Sequence, residues 1–251
     1  MMNLIRADFY RVSRGWVVYA PFVGLLLVQL LFLGVEMVSD TVWVAASGAE
    51  VVHSLLGEGN IFFLIALLPF VFCVSVPSFS DSTIKNDISW GMSRAKLYVS
   101  KVFVMAILAL LLYLFYIGAG ILLAAVTVGF GGAEVGFWPG LLQAMGAQMI
   151  VTLALCSLMV FLSFLLKKPY VLTEVLAFVL LIPMIVNIIA NLFNADLSWV
   201  LYFDLTSTLH RFASLSLLDN RSILIGFGVV AVWAVVPSAL GIALLRKAEI
   251  K

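Results

Sequence analysis

Charged residues are scarce in this chain. Asp, Glu, Lys and Arg together make up 11% of its 251 residues, whereas 64% are hydrophobic. Soluble domains carry about 25% charged and roughly 45–50% apolar residues. No soluble core could bury so much apolar surface, which excludes an ordinary soluble globular fold. We therefore expect an all-α membrane protein that crosses the lipid bilayer several times and forms a single transmembrane domain over residues 1–251.

Cysteine and histidine are also rare, with two of each. Cys73 and Cys156 lie in apolar runs, which is typical of small buried hydrophobic residues and predicts neither a disulfide framework nor a metal site. Glu50 and His53 have the Glu-x-x-His spacing of some metal sites, but one copy without further ligands favours a metal-free loop. Because neither His53 nor His210 lies in an apolar run, we expect no intramembrane metalloprotease, no catalytic residue and no bound metal.

The chain also lacks a G-x-x-x-x-G-K-[ST] loop for cradling phosphates. It is therefore not expected to hydrolyse ATP by itself on the usual plan. Four glycines, at Gly118, Gly120, Gly131 and Gly132, have no lysine after them. Close helix packing and a turn explain these glycines better than phosphate binding does.

Long hydrophobic runs, in contrast, are abundant. A helix needs about 20 apolar residues to cross a bilayer, and six segments are long enough or nearly so. Pro183 and Pro237 lie inside the fifth and sixth segments and predict kinks there. The predicted spans are residues 16–35, 61–79, 98–128, 138–166, 170–193 and 222–245.

Basic residues are distributed very unevenly between the connections. With six spans, twelve of the fourteen Lys and Arg residues fall on the side of the two termini, and only Arg211 and Arg221 fall on the other side. The positive-inside rule then predicts that both termini are cytoplasmic. The twelve residues are Arg6, Arg11, Arg14, Lys85, Arg94, Lys96, Lys101, Lys167, Lys168, Arg246, Lys247 and Lys251.

Two segments outside the spans have helical patterns of their own. Residues 1–15 and the following tryptophan predict an interfacial helix, with Ile5, Phe9, Val12 and Trp16 toward the membrane and arginines toward head groups; the alternative is a plain basic flank. Residues 194–221 predict an outer re-entrant stretch. Its apolar face would contain Leu197, Leu201, Leu205, Leu209 and Phe212.

Polar residues within the spans are few. Glu174 is the one acidic residue among them, and intramembrane carboxylates are functional candidates by default. Because Glu174 is close to the cytoplasmic end of its span, we favour the alternative of an interfacial residue that reaches Lys167 or Lys168. The uncharged candidates either bond between helices or line a pathway. They are Gln29, Gln143, Gln148, Asn187 and Asn191.

A polar stretch, residues 79–101, separates the second and third spans and reads FSDSTIKNDISWGMSRAKLYVSK. Asp81 or Ser82 can cap a short helix in which Ile84 and Ile88 share one face. Gly91 can end this helix, and Ser93 can cap the next one. We call residues 82–93 the island. It is predicted to be a short helix across the mouth of two spans; a basic loop without a partner is the alternative.

The stretch resembles the connection between the second and third spans of type-2 ABC exporter permeases. That family has a string G-T-x-K-N-x-x-S-x-G-x-S-R, an aliphatic stretch and then S-K. Ser82 replaces the usual first glycine. The opening MNLIRADFYRVSRGW also resembles the interfacial helix of that family. The matching residues are Thr83, Lys85, Asn86, Ser89, Gly91, Ser93, Arg94, Ser100 and Lys101.

This resemblance implies a transmembrane subunit of an ATP-driven exporter in a bacterial cell membrane. The island would be the coupling helix that docks on a separate ATP-binding subunit, through Thr83, Ile84, Lys85, Asn86, Ile88, Trp90, Gly91 and Arg94. Two permease chains, alike or different, would pair with two such subunits, which would hold the ATP and Mg²⁺. The cargo would be an amphipathic or hydrophobic peptide, bacteriocin, drug or lipid, and no nucleic-acid partner is expected. The alternative is a non-transporting assembly or sensor subunit without a coupled ATPase.

Overall fold

A computed structural model of the chain describes residues 2–38, 47–57, 59–80, 93–130, 136–166, 168–193, 198–217 and 219–247. The regular secondary structure of these residues is entirely helical. Short 3₁₀ turns occur at Trp16–Val18 and Phe212–Leu217. The α-helices of this part of the chain are α1 (Met2–Ser13), α2 (Ala20–Val38), α3 (Gly48–Leu56), α4 (Asn60–Ser80), α5 (Arg94–Thr127), α6 (Phe137–Leu166), α7 (Pro169–Phe193), α8 (Ser198–Phe203), α9 (Leu205–Arg211) and α10 (Asn220–Lys247).

Three of these helices, α5, α6 and α10, are each long and apolar enough to cross a membrane. The number rises to six if each of three bent helix pairs forms one span. The apolar segments predicted from the sequence correspond to α2 with its preceding turn, α4, α5, α6, α7 and α10, and their limits agree within four residues. An all-helical membrane protein is thereby confirmed, with three to six candidate spans.

The fifth predicted span contains a kink near its proline. The axes of Val171–Val179 and Leu181–Ala190 differ by 45°. Pro183 lies four residues after Val179, so its ring meets the Val179 carbonyl and its missing N–H removes that helical hydrogen bond. The kink expected at Pro183 is therefore present, whereas α10 continues through Pro237 as one helix.

The centre of the bundle is α6. In the apolar 18-residue stretch of α6, 61% of the residues are buried, compared with 44% in the corresponding stretch of α5 and 22% in that of α10. It packs against α3, α4, α5, α7, α9 and α10. Because α6 is surrounded in this way, most of its polar side chains face other helices and are buried.

The helix α1 lies almost perpendicular to the segment that follows it, at 88°. The face that packs against the bundle carries Leu4, Asp8 and Val12, whereas Phe9 and Trp16 are 38% and 78% exposed. Of the residues predicted to face the membrane, Val12 is thus buried against the bundle, whereas Phe9 and Trp16 are exposed. Apolar periodicity does not distinguish a face toward lipid from a face toward protein, and here the bundle-facing side includes a carboxylate.

Several contacts place the basic segments at one end of the bundle. The Lys101 ammonium meets the Asp8 carboxylate of α1, and the Arg94 guanidinium meets the Leu245 carbonyl near the end of α10. The rings of Tyr98 and Phe164, near the end of α6, lie 5.4 Å apart. Most of the basic residues therefore belong to segments that meet at this end, as the six-span arrangement requires.

Candidate functional site

The island connects the end of α4 to the start of α5. Of its predicted docking residues, Thr83, Ile84, Lys85, Asn86, Ile88, Trp90 and Gly91 lie outside the described residues, and so does the short helix predicted there. Ser93 is described, and it forms the N-cap of α5: its hydroxyl accepts a hydrogen bond from the Lys96 N–H at 3.4 Å. The cap predicted at Ser93 is confirmed, and α5 begins immediately after the island.

Arg94, the first residue of α5, uses its guanidinium within the chain. Its Nη1 donates to the Leu245 carbonyl oxygen at 2.7 Å. The last carbonyls of a helix have no partner inside that helix, and a cation there also complements the negative end of the helix dipole. Arg94 thus joins the start of α5 to the end of α10. From the sequence, Arg94 was assigned only to the partner-facing surface.

Two turns further along α5, Lys101 forms a buried ion pair with Asp8. The Nζ–Oδ1 distance is 2.6 Å, and the two side chains are 4% and 6% exposed. The Ser100 hydroxyl is 3.5 Å from Asp8 Oδ2 and also donates to the Leu97 carbonyl at 2.9 Å. Asp8 was not among the residues predicted from the sequence. The available signal was a carboxylate at i, i+4 spacing between Leu4 and Val12, on the face that proved to be buried.

Close packing of three helices surrounds Tyr98, which lies between Arg94 and Lys101. Its ring faces Gly241 of α10, where any added Cβ would overlap the ring. Its hydroxyl lies 3.4 Å from the Pro237 carbonyl oxygen and 3.5 Å from that of Ser157. The base of α5 is therefore in firm contact with α6 and α10 as well as α1.

A second polar group lies toward the other end of the bundle, around Gln148 of α6. Gln148 is fully buried, and its Oε1 accepts from the Tyr113 hydroxyl at 2.8 Å. Its Nε2 donates to the Leu56 carbonyl at 2.8 Å and to the Leu209 carbonyl at 2.9 Å. One amide thus joins α5 and α6 to the ends of the short helices α3 and α9.

Two further side chains donate to carbonyls at the end of α3. The Tyr116 hydroxyl donates to the Leu55 carbonyl at 3.2 Å, and the Asn60 amide donates to Leu56. Between α3 and the first part of α4 the direction changes by 51°. A helix break at membrane depth requires such internal partners, because lipid provides none. Gln148 is eleven residues from the start of α6, or about 16 Å along its axis.

Gln29 makes the corresponding contact for α2. Its Nε2 donates to the Tyr116 carbonyl at 2.8 Å. Gly120 allows this approach, since a Cβ there would collide with the Leu55 side chain and touch the Gln29 amide. The packing role predicted for Gly120 is confirmed, but an added Cβ at Gly118 would meet open space. Gly131 and Gly132 lie outside the described residues.

The remaining polar candidates are not brought together. Gln143 and Glu174 are exposed, and the side chains of Asn187 and Asn191 lie outside the described set. Glu50 and His53 lie on α3. Within the described part of the chain, no group of three or more metal-capable residues occurs.

The segment before α10, predicted to be a re-entrant stretch, is broken at Asp204. This corrects the continuous apolar face predicted from Leu197 to Phe212. The Asp204 carboxylate caps α9 by accepting from the Ser207 N–H at 2.6 Å, and the extended backbone of Asp204 interrupts the helix there. Leu205, Leu209 and Phe212 are buried as expected, and Leu201 is half-buried. Leu197 lies outside the described residues. Arg211 is held by the Leu201 carbonyl at 3.3 Å and lies over the Tyr202 ring at 4.3 Å from its centre.

Comparison with known proteins identifies the family. A search of curated proteins found no match to the chain. A family model described as "ABC-2 family transporter protein" matches residues 4–185, which is well over half of the chain and extends from α1 into α7. The resemblance observed in the sequence is thereby confirmed: the chain belongs to the ABC-2 family of transporter proteins.

Proposed function

We propose that the chain is the transmembrane subunit of an ATP-driven ABC exporter in a bacterial cell membrane, with both termini in the cytoplasm. It moves an amphipathic or hydrophobic cargo, such as a peptide, bacteriocin, drug or lipid, out of the cell. The island docks on a separate ATP-binding subunit. Family membership supports an ABC transport role, and the apolar composition of the spans suits such a cargo.

The observation that carries the proposal is the attachment of α5 to the island. From Arg94 to Thr127, α5 is one helix of 34 residues, about 51 Å long at 1.5 Å per residue. Its capped first turn follows the island directly, and its base contacts α1, α6 and α10. A force applied to the island therefore acts on a stiff element that extends across the bilayer.

The same helix reaches the polar group around Gln148. Tyr113 and Tyr116 of α5 donate to Gln148 and to the end of α3, respectively. A tilt of α5 would consequently strain the hydrogen bonds that hold the ends of α3 and α9. In this proposal ATP-driven closure of the partner subunits pushes on the island, and the outer breaks respond.

ATP and Mg²⁺ belong to the partner in this proposal. Two copies of the ATP-binding subunit serve two permease chains, which are identical or closely related. The island offers Ile84, Ile88 and Trp90 as apolar anchors, and Lys85 sets the orientation by charge, a combination suited to a short docking helix.

The test is retention of the ATPase partner by island variants. Ile88→Ala and Trp90→Ala each remove an apolar anchor, and hot-spot truncations cost about 2 kcal/mol, or roughly thirtyfold in affinity. We expect both variants to lose the partner and the coupled ATPase activity in nanodiscs while permease yield stays normal. Val126→Ala is the matched control, because Val126 is 84% exposed at the far end of α5.

Arg94→Glu is a less selective variant. Because Arg94 also bonds the Leu245 carbonyl, its replacement changes the α5–α10 contact together with any docking surface. We expect it to lower both partner retention and thermal stability. Normal retention in the Ile88 and Trp90 variants would remove the island from the mechanism. A wild-type complex that carries no nucleotide-binding chain would favour the non-transporting assembly or sensor subunit.

A further inference from the structure

The buried ion pair between α1 and α5 has features that packing alone does not explain. Asp8 is the one acidic residue of α1, whose other charged residues are Arg6 and Arg11. Its carboxylate and the Lys101 ammonium are almost completely shielded from solvent, at 6% and 4% exposure. Two charges removed from water lose much hydration energy, so a buried pair is often no more stable than an apolar contact of similar size. A contribution to stability alone therefore does not explain why this ion pair is present.

A buried ion pair fixes the position of one helix relative to the other. Apolar side chains can slide past one another at small cost, whereas a charge separated from its buried partner is left in a poorly solvating environment. The 2.6 Å contact between Nζ and Oδ1 thus ties one position of α1 to one position of α5. Any displacement of α5 at Lys101 is resisted unless α1 moves with it.

The location of the pair matters as much as its strength. Lys101 is seven residues after Arg94, where α5 begins at the end of the island. On its other side, α1 leads through a sharp bend to α2, and Gln29 of α2 bonds the Tyr116 carbonyl of the same α5. The segment α1–α2 is consequently attached to α5 at two levels, fifteen residues apart or about 22 Å along its axis.

We propose that the Asp8–Lys101 ion pair is the contact through which α5 passes the movement of the island to α1 and the first span. Asp8 and Lys101 are then positioning residues of the transport cycle, and they do not themselves contact cargo or nucleotide. This inference rests on the proposed exporter function and adds one element to it: α1 and α2 move with α5 as a unit.

The experiment uses the complete complex with its ATPase subunits in nanodiscs. Amide hydrogen exchange is measured for α1 peptides and for residues 81–93, without nucleotide and after vanadate trapping with ATP. The variants are Asp8→Asn, Lys101→Met and the exchange Asp8→Lys with Lys101→Asp. Lys96→Met is the control, because Lys96 belongs to the same helix but is exposed.

In the wild-type protein and the Lys96 control we expect trapping to change the exchange of both segments. In the two single variants the change at 81–93 should persist and the change in α1 should disappear, while coupled ATPase turnover falls by roughly tenfold or more, since the ion pair that joins the two helices is broken. The charge exchange should restore much of the α1 response. Partner retention should be normal throughout.

A purely structural role gives a different result. The single variants would then be less thermostable but would retain the trapping-dependent change in α1 and normal turnover per folded complex, and this outcome overturns the inference. Loss of the response at 81–93 as well would also overturn it, since the pair would then act upstream of the island. A wild-type complex without ATPase activity contradicts the exporter function itself, and the inference with it.

Discussion

Gln148 illustrates how one uncharged side chain can organise a membrane-embedded region. Its amide bonds Tyr113 of α5 and the last carbonyls of α3 and α9, so three chain segments meet at one residue. Helix ends need hydrogen-bond partners, and in lipid these must come from the protein. Gln148 is therefore a residue that allows short helices to end inside the bundle.

We expect Gln148→Leu to lower the free energy of unfolding by about 2 kcal/mol. Three hydrogen bonds are lost, and interhelical hydrogen bonds in membrane proteins contribute on average about 0.6 kcal/mol each. The measurement is reversible unfolding in mixed micelles. Gln143→Leu, five residues earlier on α6 and exposed, is the control and should change stability by less than about 0.5 kcal/mol. Equal effects in both variants would contradict the role assigned to Gln148.

At the scale of elements, the described part of the chain includes three short helices, α3, α8 and α9, beside its long ones. α3 precedes a 51° bend into α4, and α8 and α9 meet at Asp204. Each break has its own chemistry: side chains of α4, α5 and α6 satisfy the end of α3, whereas the Asp204 carboxylate satisfies the start of α9. Broken helices of this kind can reorient by changing few contacts, which would suit a gate in the exporter proposed above.

The cap of α9 gives a prediction for this element. Asp204→Ala should expose the amides of α9 to faster hydrogen exchange and reduce its local stability by about 1 kcal/mol, since loss of an N-cap typically costs that much. Asp204→Asn retains a good capping side chain and is the matched control. If the two variants exchange at the same rate over residues 205–211, the Asp204 side chain is not what holds the start of α9.

At the scale of the whole molecule, the distribution of basic residues and the contacts between helices both indicate that the basic segments lie at one end of the bundle. Twelve of the fourteen basic residues lie in four segments: residues 1–15 around α1, the island with the start of α5 up to Lys101, the α6–α7 connection, and residues 246–251 at and after the end of α10. Described contacts bring α1, the start of α5 and the ends of α6 and α10 together. The positive-inside rule predicts that this end is the cytoplasmic one.

Labelling of single cysteines tests this orientation. In a background without Cys73 and Cys156, cysteines at Lys85 and Lys168 should react with a membrane-impermeant reagent only from the cytoplasmic side. A cysteine at Asp219, exposed beside the start of α10, should react only from outside. Reaction of the Lys168 position from outside would contradict the six-span arrangement.

Much of this protein could be predicted from local features of its sequence. The membrane class and the limits of the six apolar segments follow from hydropathy, and the start of α5 follows from the capping preference of Ser93. Pro183 predicted its kink because the missing N–H acts within one helix. The string after Ser82 indicated the ABC-2 family. Each of these properties depends on a few neighbouring residues, so a single sequence contains them.

The tertiary structure decided which polar groups meet. Asp8 and Lys101 are 93 residues apart, and Arg94 and the Leu245 carbonyl are 151 residues apart. Gln29, Gln143 and Gln148 look alike in sequence, but only the folded bundle shows Gln29 and Gln148 buried between helices and Gln143 exposed. A hydrogen bond or ion pair requires two groups within about 3 Å. Such proximity depends on how the helices pack, which the local pattern around either residue does not encode.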